Sequence, residues 1–185
     1  GLPLVSNEYS QPKFHFTQNA ANAFAARFYL YYQQYDKAIT YATKVLGSNP
    51  NSVLRDWKTW GNLSINYDIQ PNQYISTSEN ANLLLRVTTS NWGGICGPYS
   101  IGSKYAHGRM ISVYETLQSN GPWGNSEDTF NYRVWSNDEL SKYCIRKIPY
   151  TFEYTDIQAG IGYPHSEIAD FTTDQLLLER AEAYA

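Results

Sequence analysis

The sequence predicts a mainly helical protein with a loop-rich insertion that contains short β-strands. Three observations carry this prediction. Residues 17–50 show two consecutive helical patterns, residues 82–89 alternate as a strand does, and residues 172–185 begin a further helix. Much of the sequence between that strand and the last helix is rich in glycine, proline and asparagine, which favours loops over long regular elements.

The first helical pattern begins at Thr17, a residue type that suits the N-cap of a helix. Apolar residues follow it at the i, i+3 and i+4 spacings of one helical face, which predicts the side that is turned inward. The residues predicted to form this buried face are Ala21, Phe24, Ala25, Phe28 and Tyr32.

A second helix is predicted to begin near Lys37, after a short polar link. Gly47 and Pro50 should end it, because glycine favours the helix C-terminus and proline cannot continue a helix. Its inward residues are predicted to be Ala38, Ile39, Ala42, Val45 and Leu46. The two patterns together predict a pair of short antiparallel helices.

This pair resembles a tetratricopeptide repeat, whose two helices recur with a period of about 34 residues. The match is close over YDKAITYATKVLGSNP, and Ala26 and Tyr29 occupy the small and aromatic positions of the first helix. The resemblance implies a helical repeat scaffold of the α-α superhelix type.

The last stretch, FTTDQLLLERAEAYA, is predicted to open another helix through a capping box of Thr172 and Gln175. Ala181 and Tyr184 repeat the small and aromatic spacing of the first helix. Since the sequence stops at Ala185, the first helix of a further repeat would be truncated, with an apolar face left uncovered. We therefore expect the chain to be a piece of a longer protein.

Between the repeat-like segments, the sequence predicts an insertion over 51–171. Trp57 and Trp60 share one face of a short helical or irregular piece over 53–60, where packing is favoured over ligand contact. The other predicted elements are a strand over 82–89, a helix over 103–118, a short helix over 137–143, an extended piece over 145–154 and a loop over 155–164.

Composition excludes several classes of protein. The 185 residues are 42% hydrophobic and 17% charged with a net charge of -3, which is ordinary for a globular domain and supplies no basic surface for nucleic acid. No segment is apolar enough to span a membrane. Cys96 and Cys144 lack the spacing of metal ligands, so they are either free thiols or a disulfide pair.

Catalysis is also not indicated. Glycosidases need two carboxylates facing one sugar, and the acidic residues here follow no recognisable motif. The histidines His15, His107 and His165 have neither metal spacing nor the context of a nucleophilic triad, and NWGGICG lacks the lysine of a phosphate-binding loop. We expect no enzyme activity, no cofactor and no metal.

The order of the motifs carries a family resemblance. A tetratricopeptide-like pair, SENANLLLRV, the basic extended piece CIRKIPY and a helix ending in RAEAYA follow one another in this chain. The sequence in this order resembles the SusD/RagB-like outer-membrane lipoproteins of the Bacteroidota. The resemblance covers about Thr17 to Ala185 and is most specific in the first helix pair and in LLLERAEAYA.

This resemblance implies a surface-exposed, non-catalytic glycan-binding protein of a polysaccharide utilization system. Such a protein covers a SusC-like TonB-dependent transporter and passes oligosaccharides to it. A lipid anchor upstream of Gly1 would hold the full-length protein in the outer membrane. Two alternatives remain: a family member that binds peptides, and a tetratricopeptide-type scaffold for protein interactions.

A glycan site needs a flat aromatic face for the sugar ring and polar groups for its hydroxyls. The chain is 16% aromatic, with 17 tyrosines, 7 phenylalanines and 5 tryptophans, and the glycine-rich loop after the strand at 82–89 offers this combination. A second tryptophan-containing loop offers it again, with core packing or transporter contact as the alternative. The candidate ligand-binding residues are Asn91, Trp92, Tyr99, Tyr105, Arg109, Trp123 and Asn125.

Overall fold

A computed structural model of the chain describes residues 9–61, 63, 69–93, 135–137, 142–144 and 147–185. Its helices are α1 (Gln18–Tyr31), α2 (Tyr35–Leu46), α3 (Trp57–Gly61), α4 (Ile69–Tyr74) and α5 (Thr173–Tyr184). Its strands are β1 (Asn82–Thr89), β2 (Trp135–Asn137), β3 (Lys142–Cys144), β4 (Thr151–Asp156) and β5 (Ile161–Thr172). Short 3-10 helices cover Pro12–Phe14 and Pro50–Ser52.

Helices and a small antiparallel sheet share the described part of the chain. The sheet has three strands in the order β1-β5-β4, and β2 pairs with β3 separately. The predicted combination of helices with short strands is therefore confirmed. The sheet makes the fold mixed rather than mainly helical, because β5 alone continues for 12 residues. No helix in the described ranges has both the length and the apolar character that crossing a bilayer requires.

The ends of the helix pair follow from local chemistry. Thr17 caps α1 as predicted, and its hydroxyl accepts a hydrogen bond from the Ala20 N–H at 3.3 Å. Helix α2 begins at Tyr35, two residues before the predicted Lys37. It ends at Leu46, and the next residue, Gly47, has a φ of 66°, in a region that glycine adopts without steric cost.

The predicted buried face of α1 is wrong. Ala20, Ala23, Ala26 and Leu30 are buried, whereas Phe24 and Phe28 are 51% and 50% exposed. The reason is that α1 packs against both α2 and α5, and alanines allow two neighbouring helices to approach closely where phenylalanine rings would hold them apart.

Exposed aromatic rings on α1 and at its two ends form a row that we call the aromatic stripe. Its members are Phe16, Phe24, Phe28 and Tyr32. The ring centroids of Phe24 and Phe28 are 6.4 Å apart, and those of Phe28 and Tyr32 are 5.8 Å apart. Stacking of the rings on one another covers part of their apolar surface. The stripe nevertheless remains substantially exposed.

Helices α1, α2 and α5 enclose the main core. Its buried members are Ala20, Ala23, Ala26, Ala42, Leu46, Leu83, Leu84, Phe171 and Leu176. The predicted inward face of α2 is confirmed, with Ala38, Ala42 and Leu46 buried. Thr172 caps α5 by accepting a hydrogen bond from the Gln175 N–H at 3.2 Å, as its sequence predicts.

The segment predicted as a loop over 155–164 is largely a β-hairpin, so that prediction is wrong. Strand β4 continues to Asp156, and β5 begins at Ile161 after a turn that contains Gly160 at φ 68°. Thr151 pairs with His165 and Glu153 with Tyr163 in antiparallel register. The β-branched and aromatic residues on both sides of the turn favour this arrangement.

The short helix predicted over 137–143 is also wrong where the structure describes it. Asn137 ends β2, and Lys142 begins β3, its antiparallel partner. Aromatic residues at Trp135 and Tyr143 favour extended backbone more than a helix. The helix predicted over 103–118 lies outside the described residues.

The chain divides into two compact units. The first, Gly1–Arg55 with Ser76–Arg86 and Ile168–Ala185, contains α1, α2 and α5. The second, Asp56–Ile75 with Val87–Glu167, contains α3, α4, β4 and the β2-β3 pair. Strands β1 and β5 each contribute residues to both units.

Candidate functional site

Two of the seven predicted site residues, Asn91 and Trp92, belong to the part of the chain that the structure describes. The other five lie outside the described residues, and they are Tyr99, Tyr105, Arg109, Trp123 and Asn125. The described geometry is that of the loop base, which we define as Ser90 to Gly93. It decides how Trp92 is held.

The loop base begins where β1 ends. The Ser90 N–H donates a hydrogen bond to the Pro164 carbonyl oxygen at 2.9 Å, which continues the pairing toward β5 by one residue beyond Thr89. The Ser90 hydroxyl then accepts a hydrogen bond from the Trp92 N–H at 3.1 Å. This local turn lets the backbone leave the strand while its polar groups stay satisfied.

A single buried hydroxyl closes the loop base. Ser166 on β5 is fully buried, at 0% exposure, and its Oγ accepts a hydrogen bond from the Gly93 N–H at 3.0 Å. The same Oγ donates to the Ser90 carbonyl oxygen at 3.2 Å. Because one side chain bonds both ends of the loop base, the position of Trp92 between them is restrained.

Glycine is required at position 93 for a steric reason. A Cβ atom at Gly93 would lie 2.2 Å from the Pro149 carbonyl oxygen and 2.9 Å from the Tyr150 Cα, closer than any real contact. The buried backbone at Gly93 therefore packs directly against the backbone at Pro149. The loop base is held from the strand side and from the 149–150 side.

On this base, Trp92 is 40% exposed and Asn91 is exposed as well. A partly exposed indole can stack on the apolar CH side of a sugar ring, and an adjacent amide can bond the sugar hydroxyls. The base restrains the backbone before any ligand arrives, which lowers the entropy that binding must offset. The ligand-binding role of Trp92 stays a prediction.

The hairpin of the same unit carries polar and aromatic groups that sequence reasoning did not select. Glu153 Oε2 and His165 Nε2 lie 2.8 Å apart, and Tyr154 and Tyr163 are 56% and 58% exposed. Glu153 and His165 are 12 positions apart in sequence, and only the register of β4 with β5 brings them together. Recognising that hairpin in the sequence would have found them.

The packing role predicted for the tryptophans of α3 is confirmed for Trp60. It is 2% exposed, and its indole N–H donates to the Gln70 carbonyl oxygen at 3.0 Å. The Trp57 ring meets the Trp60 ring edge to face at 5.6 Å, and the Lys147 ammonium lies 5.2 Å from the Trp57 ring centroid. These contacts belong to a packed aromatic cluster.

Metal ligation finds no support in the described ranges, where no group of three or more histidine, cysteine, aspartate or glutamate side chains could hold an ion.

Comparison of the chain with protein-family models, with curated proteins and with solved structures found no match.

Proposed function

We propose that this chain is part of a SusD/RagB-like surface lipoprotein that binds glycans without transforming them. In this role the protein captures an oligosaccharide at the outer membrane and delivers it to a SusC-like TonB-dependent transporter. The full-length protein is held at the cell surface by a lipid anchor upstream of this chain. The motif order of the sequence and two features of the described structure support this assignment.

The first supporting feature is the placement of α5. Helix α5 packs against both α2 and α1, although α2 ends at Leu46 and α5 begins only at Thr173. The first helix of a following tetratricopeptide repeat packs on the preceding pair in the same way, because each repeat needs a neighbour to cover its apolar face. A repeat interrupted by a long insertion explains this placement.

The second feature, and the observation that carries the proposal, is the exposed indole of Trp92 on a restrained base. Stacking on a sugar requires an aromatic face that is accessible and already oriented. The buried Ser166 hydroxyl and the close approach at Gly93 restrain the backbone that carries this indole. The remaining predicted residues, Tyr99 to Asn125, complete the site in this proposal.

Titration calorimetry with a panel of oligosaccharides tests the proposal, with retardation in polysaccharide-containing native gels as a second readout. Replacing Trp92 by alanine should lower the affinity for the bound glycan by about tenfold or more, since one stacking contact contributes on the order of 1–2 kcal/mol. The Trp123→Ala variant tests the second predicted platform in the same way.

The matched control is Tyr31→Ala, because Tyr31 is 82% exposed and lies on α1 in the other unit. This variant should bind like the unmodified chain. If Trp92→Ala keeps its thermal stability and binds every glycan as well as the unmodified chain does, Trp92 is not a glycan platform. If no glycan in the panel binds at all, the proposed activity is lost for this chain.

The aromatic stripe of α1 favours a second candidate function, a scaffold or family member that binds a protein or peptide. Exposed aromatic rings in a row are typical of surfaces that another apolar surface covers. This candidate predicts that the Phe28→Ser variant is retained less well than the unmodified chain on an immobilised peptide library. The Trp92→Ala variant should be retained as well as the unmodified chain. The glycan proposal predicts that Trp92→Ala weakens glycan binding and that Phe28→Ser leaves it unchanged.

A further inference from the structure

The first unit contains a cavity of about 490 Å³ between the segment before α1 and the turn before β1. This volume falls within the range of roughly 300–1,000 Å³ that small-molecule sites occupy. The cavity is lined by Ser10, Gln11, Pro12, Lys13, Thr17, Asn19, Thr77, Ser78, Asn80, Asn82 and Leu83. Most of these residues carry a hydroxyl or an amide group, and Lys13 carries an ammonium group.

Lys13 is the one charged residue of that lining. Its half-buried ammonium donates a hydrogen bond to the Glu79 carbonyl oxygen, and no carboxylate of the described residues lies within ion-pair distance of it. The Glu79 carboxylate is engaged elsewhere, since Oε1 accepts from the Ala81 N–H at 3.1 Å and Oε2 lies 3.4 Å from Arg55 Nη1. The cavity therefore contains a cation without a paired anion.

The electrostatics of Lys13 agree with that geometry. Burial lowers the pKa of Lys13 below its ordinary value, and the nearby Arg55 lowers it further, while Glu79 opposes both effects. A bound anion would offset the loss of hydration and favour the charged ammonium. Anion binding at this position would thus stabilise a charge that the protein itself leaves only partly compensated.

Several polar side chains of the lining are available to a ligand. The side chains of Asn19, Thr77 and Asn80 make no hydrogen bond to any other residue in the described part of the chain. Thr17 and Asn82, in contrast, serve the fold, because Thr17 caps α1 and Asn82 Oδ1 accepts from Arg55 Nη2 at 2.8 Å. The amides of Asn19 and Asn80 and the hydroxyl of Thr77 can hydrogen-bond a ligand that has several hydroxyl groups.

We propose that this cavity binds a compact carboxylate that carries hydroxyl groups. The carboxylate pairs with the Lys13 ammonium, and the hydroxyls bond Asn19, Thr77 and Asn80. Two sources share this chemistry: a free sugar acid and a uronic acid unit of a glycan. The proposal is independent of the function proposed for Trp92, because the cavity residues and Trp92 belong to different units.

Titration calorimetry of the whole chain at neutral pH tests this proposal with four probes: D-gluconate, methyl β-D-glucuronide, D-glucose and acetate. We expect at least one of the two hydroxylated acids to bind about tenfold or more tightly than both D-glucose and acetate. Binding of gluconate alone identifies the free acid as the source, and binding of the glucuronide identifies the uronic acid unit.

Two substitutions assign the binding to the cavity. Lys13→Met removes the charge and keeps the aliphatic stem. It should lower the affinity for the hydroxylated acid by about tenfold or more, as expected for the loss of a charge-assisted hydrogen bond. Asn80→Ala should weaken it several-fold. The matched control Lys37→Met removes a lysine whose ammonium lies 5.0 Å from the Tyr29 ring centroid, outside the cavity, and should change nothing.

A measurement on the unmodified chain keeps the test valid if Lys13→Met does not fold. Calorimetry near pH 9.5 in two buffers of different ionisation enthalpy should show proton uptake on binding, because the anion raises the lowered pKa of Lys13. Arg55 and Glu79 are the charged groups that face Lys13.

The proposal is overturned if D-glucose or acetate binds as tightly as the acids, if none of the probes binds, or if a folded Lys13→Met variant keeps full affinity. Trp92→Ala should leave the binding of the acids unchanged. Loss of glycan binding in Trp92→Ala and loss of acid binding in Lys13→Met therefore report on two separate sites.

Discussion

Arg27 Nε and Glu179 Oε1 form an ion pair 2.6 Å long, although the two residues are 152 positions apart in sequence. The pair joins α1 to α5. The Arg27 guanidinium also lies over the Phe171 ring, 4.2 Å from its centroid. One arginine thus connects the first helix of the repeat-like pair with the end of β5 and with the helix that follows it.

Removing this arginine should destabilise the chain more than removing an exposed one. We expect Arg27→Met to lower the free energy of unfolding by about 1–3 kcal/mol, because it leaves the half-buried Glu179 carboxylate without its cation. Urea denaturation followed by circular dichroism measures the change.

The matched control is Arg86→Met. Arg86 bonds Asp170 through two nitrogens at 2.7 and 3.0 Å, but this pair is largely exposed, so its loss should cost less than about 1 kcal/mol. Equal losses from the two substitutions would show that burial of the Arg27 pair contributes nothing.

Glu167 should make stability depend on pH. Burial raises the pKa of this carboxyl above its ordinary value of 4.5, and no hydrogen bond or ion pair joins its side chain to another described residue. The folded state therefore holds this proton more tightly than the unfolded state does. Stability from this group is present below pH 4.5 and is lost as pH rises through the raised pKa.

The Glu167→Gln variant removes this titration. It should have the same Tm as the unmodified chain at about pH 4 and a higher Tm at about pH 7, measured by thermal denaturation. Glu182→Gln, which alters an exposed carboxylate, should show a much smaller pH-dependent difference. If the Tm of Glu167→Gln differs from that of the unmodified chain more at about pH 4 than at about pH 7, the raised pKa of Glu167 is contradicted.

Gly93→Ala should disturb the loop base. The added Cβ would lie 2.2 Å from the Pro149 carbonyl oxygen, so backbone must shift, at a cost of about 1–3 kcal/mol. Gly160→Ala is the comparison, because Gly160 has open space around it and a φ of 68°, where alanine costs about 1 kcal/mol. Only Gly93→Ala should also weaken ligand binding that depends on Trp92.

The buried face of α1 that the structure shows predicts that substitutions at its alanines cost more stability than substitutions at its phenylalanines. Ala23→Leu inserts a larger side chain between α1 and its neighbours, and should cost about 1–3 kcal/mol in urea denaturation. Phe28→Leu alters a half-exposed ring and should cost less than about 1 kcal/mol. The reverse order would restore the face that the sequence predicted.

Local chemistry made several features predictable from sequence. Thr17 and Thr172 are N-caps because their hydroxyls accept backbone N–H groups within the next turn, and Gly47 ends α2 because it accepts a positive φ. Strand β1 has the bounds Asn82–Thr89 that its alternation predicted. All of these depend on residues within a few positions of one another.

Other features were not predictable, because they depend on distant residues. The phenylalanines of α1 follow a helical spacing as regular as that of its alanines, so periodicity alone could not decide which face is buried. Ser166 gave no signal of its own, since its role arises from contact with Ser90 and Gly93, 76 and 73 positions away. The hairpin of β4 and β5 was not predicted, because its turn contains a single glycine and the segment was interpreted as a loop.

The sequence by itself determined where α1 and α5 begin, where α2 ends and where β1 begins and ends. It also selected Trp92 as a candidate binding residue from its chemistry. The tertiary structure alone decided that α5 packs on α1 and α2, that alanines and not the phenylalanine rings of α1 face the core, and that Lys13 lines a cavity without a paired carboxylate. Caps and turns are set by hydrogen bonds within a few residues. Packing faces and cavities are set by whichever distant surfaces bury the most area without steric conflict.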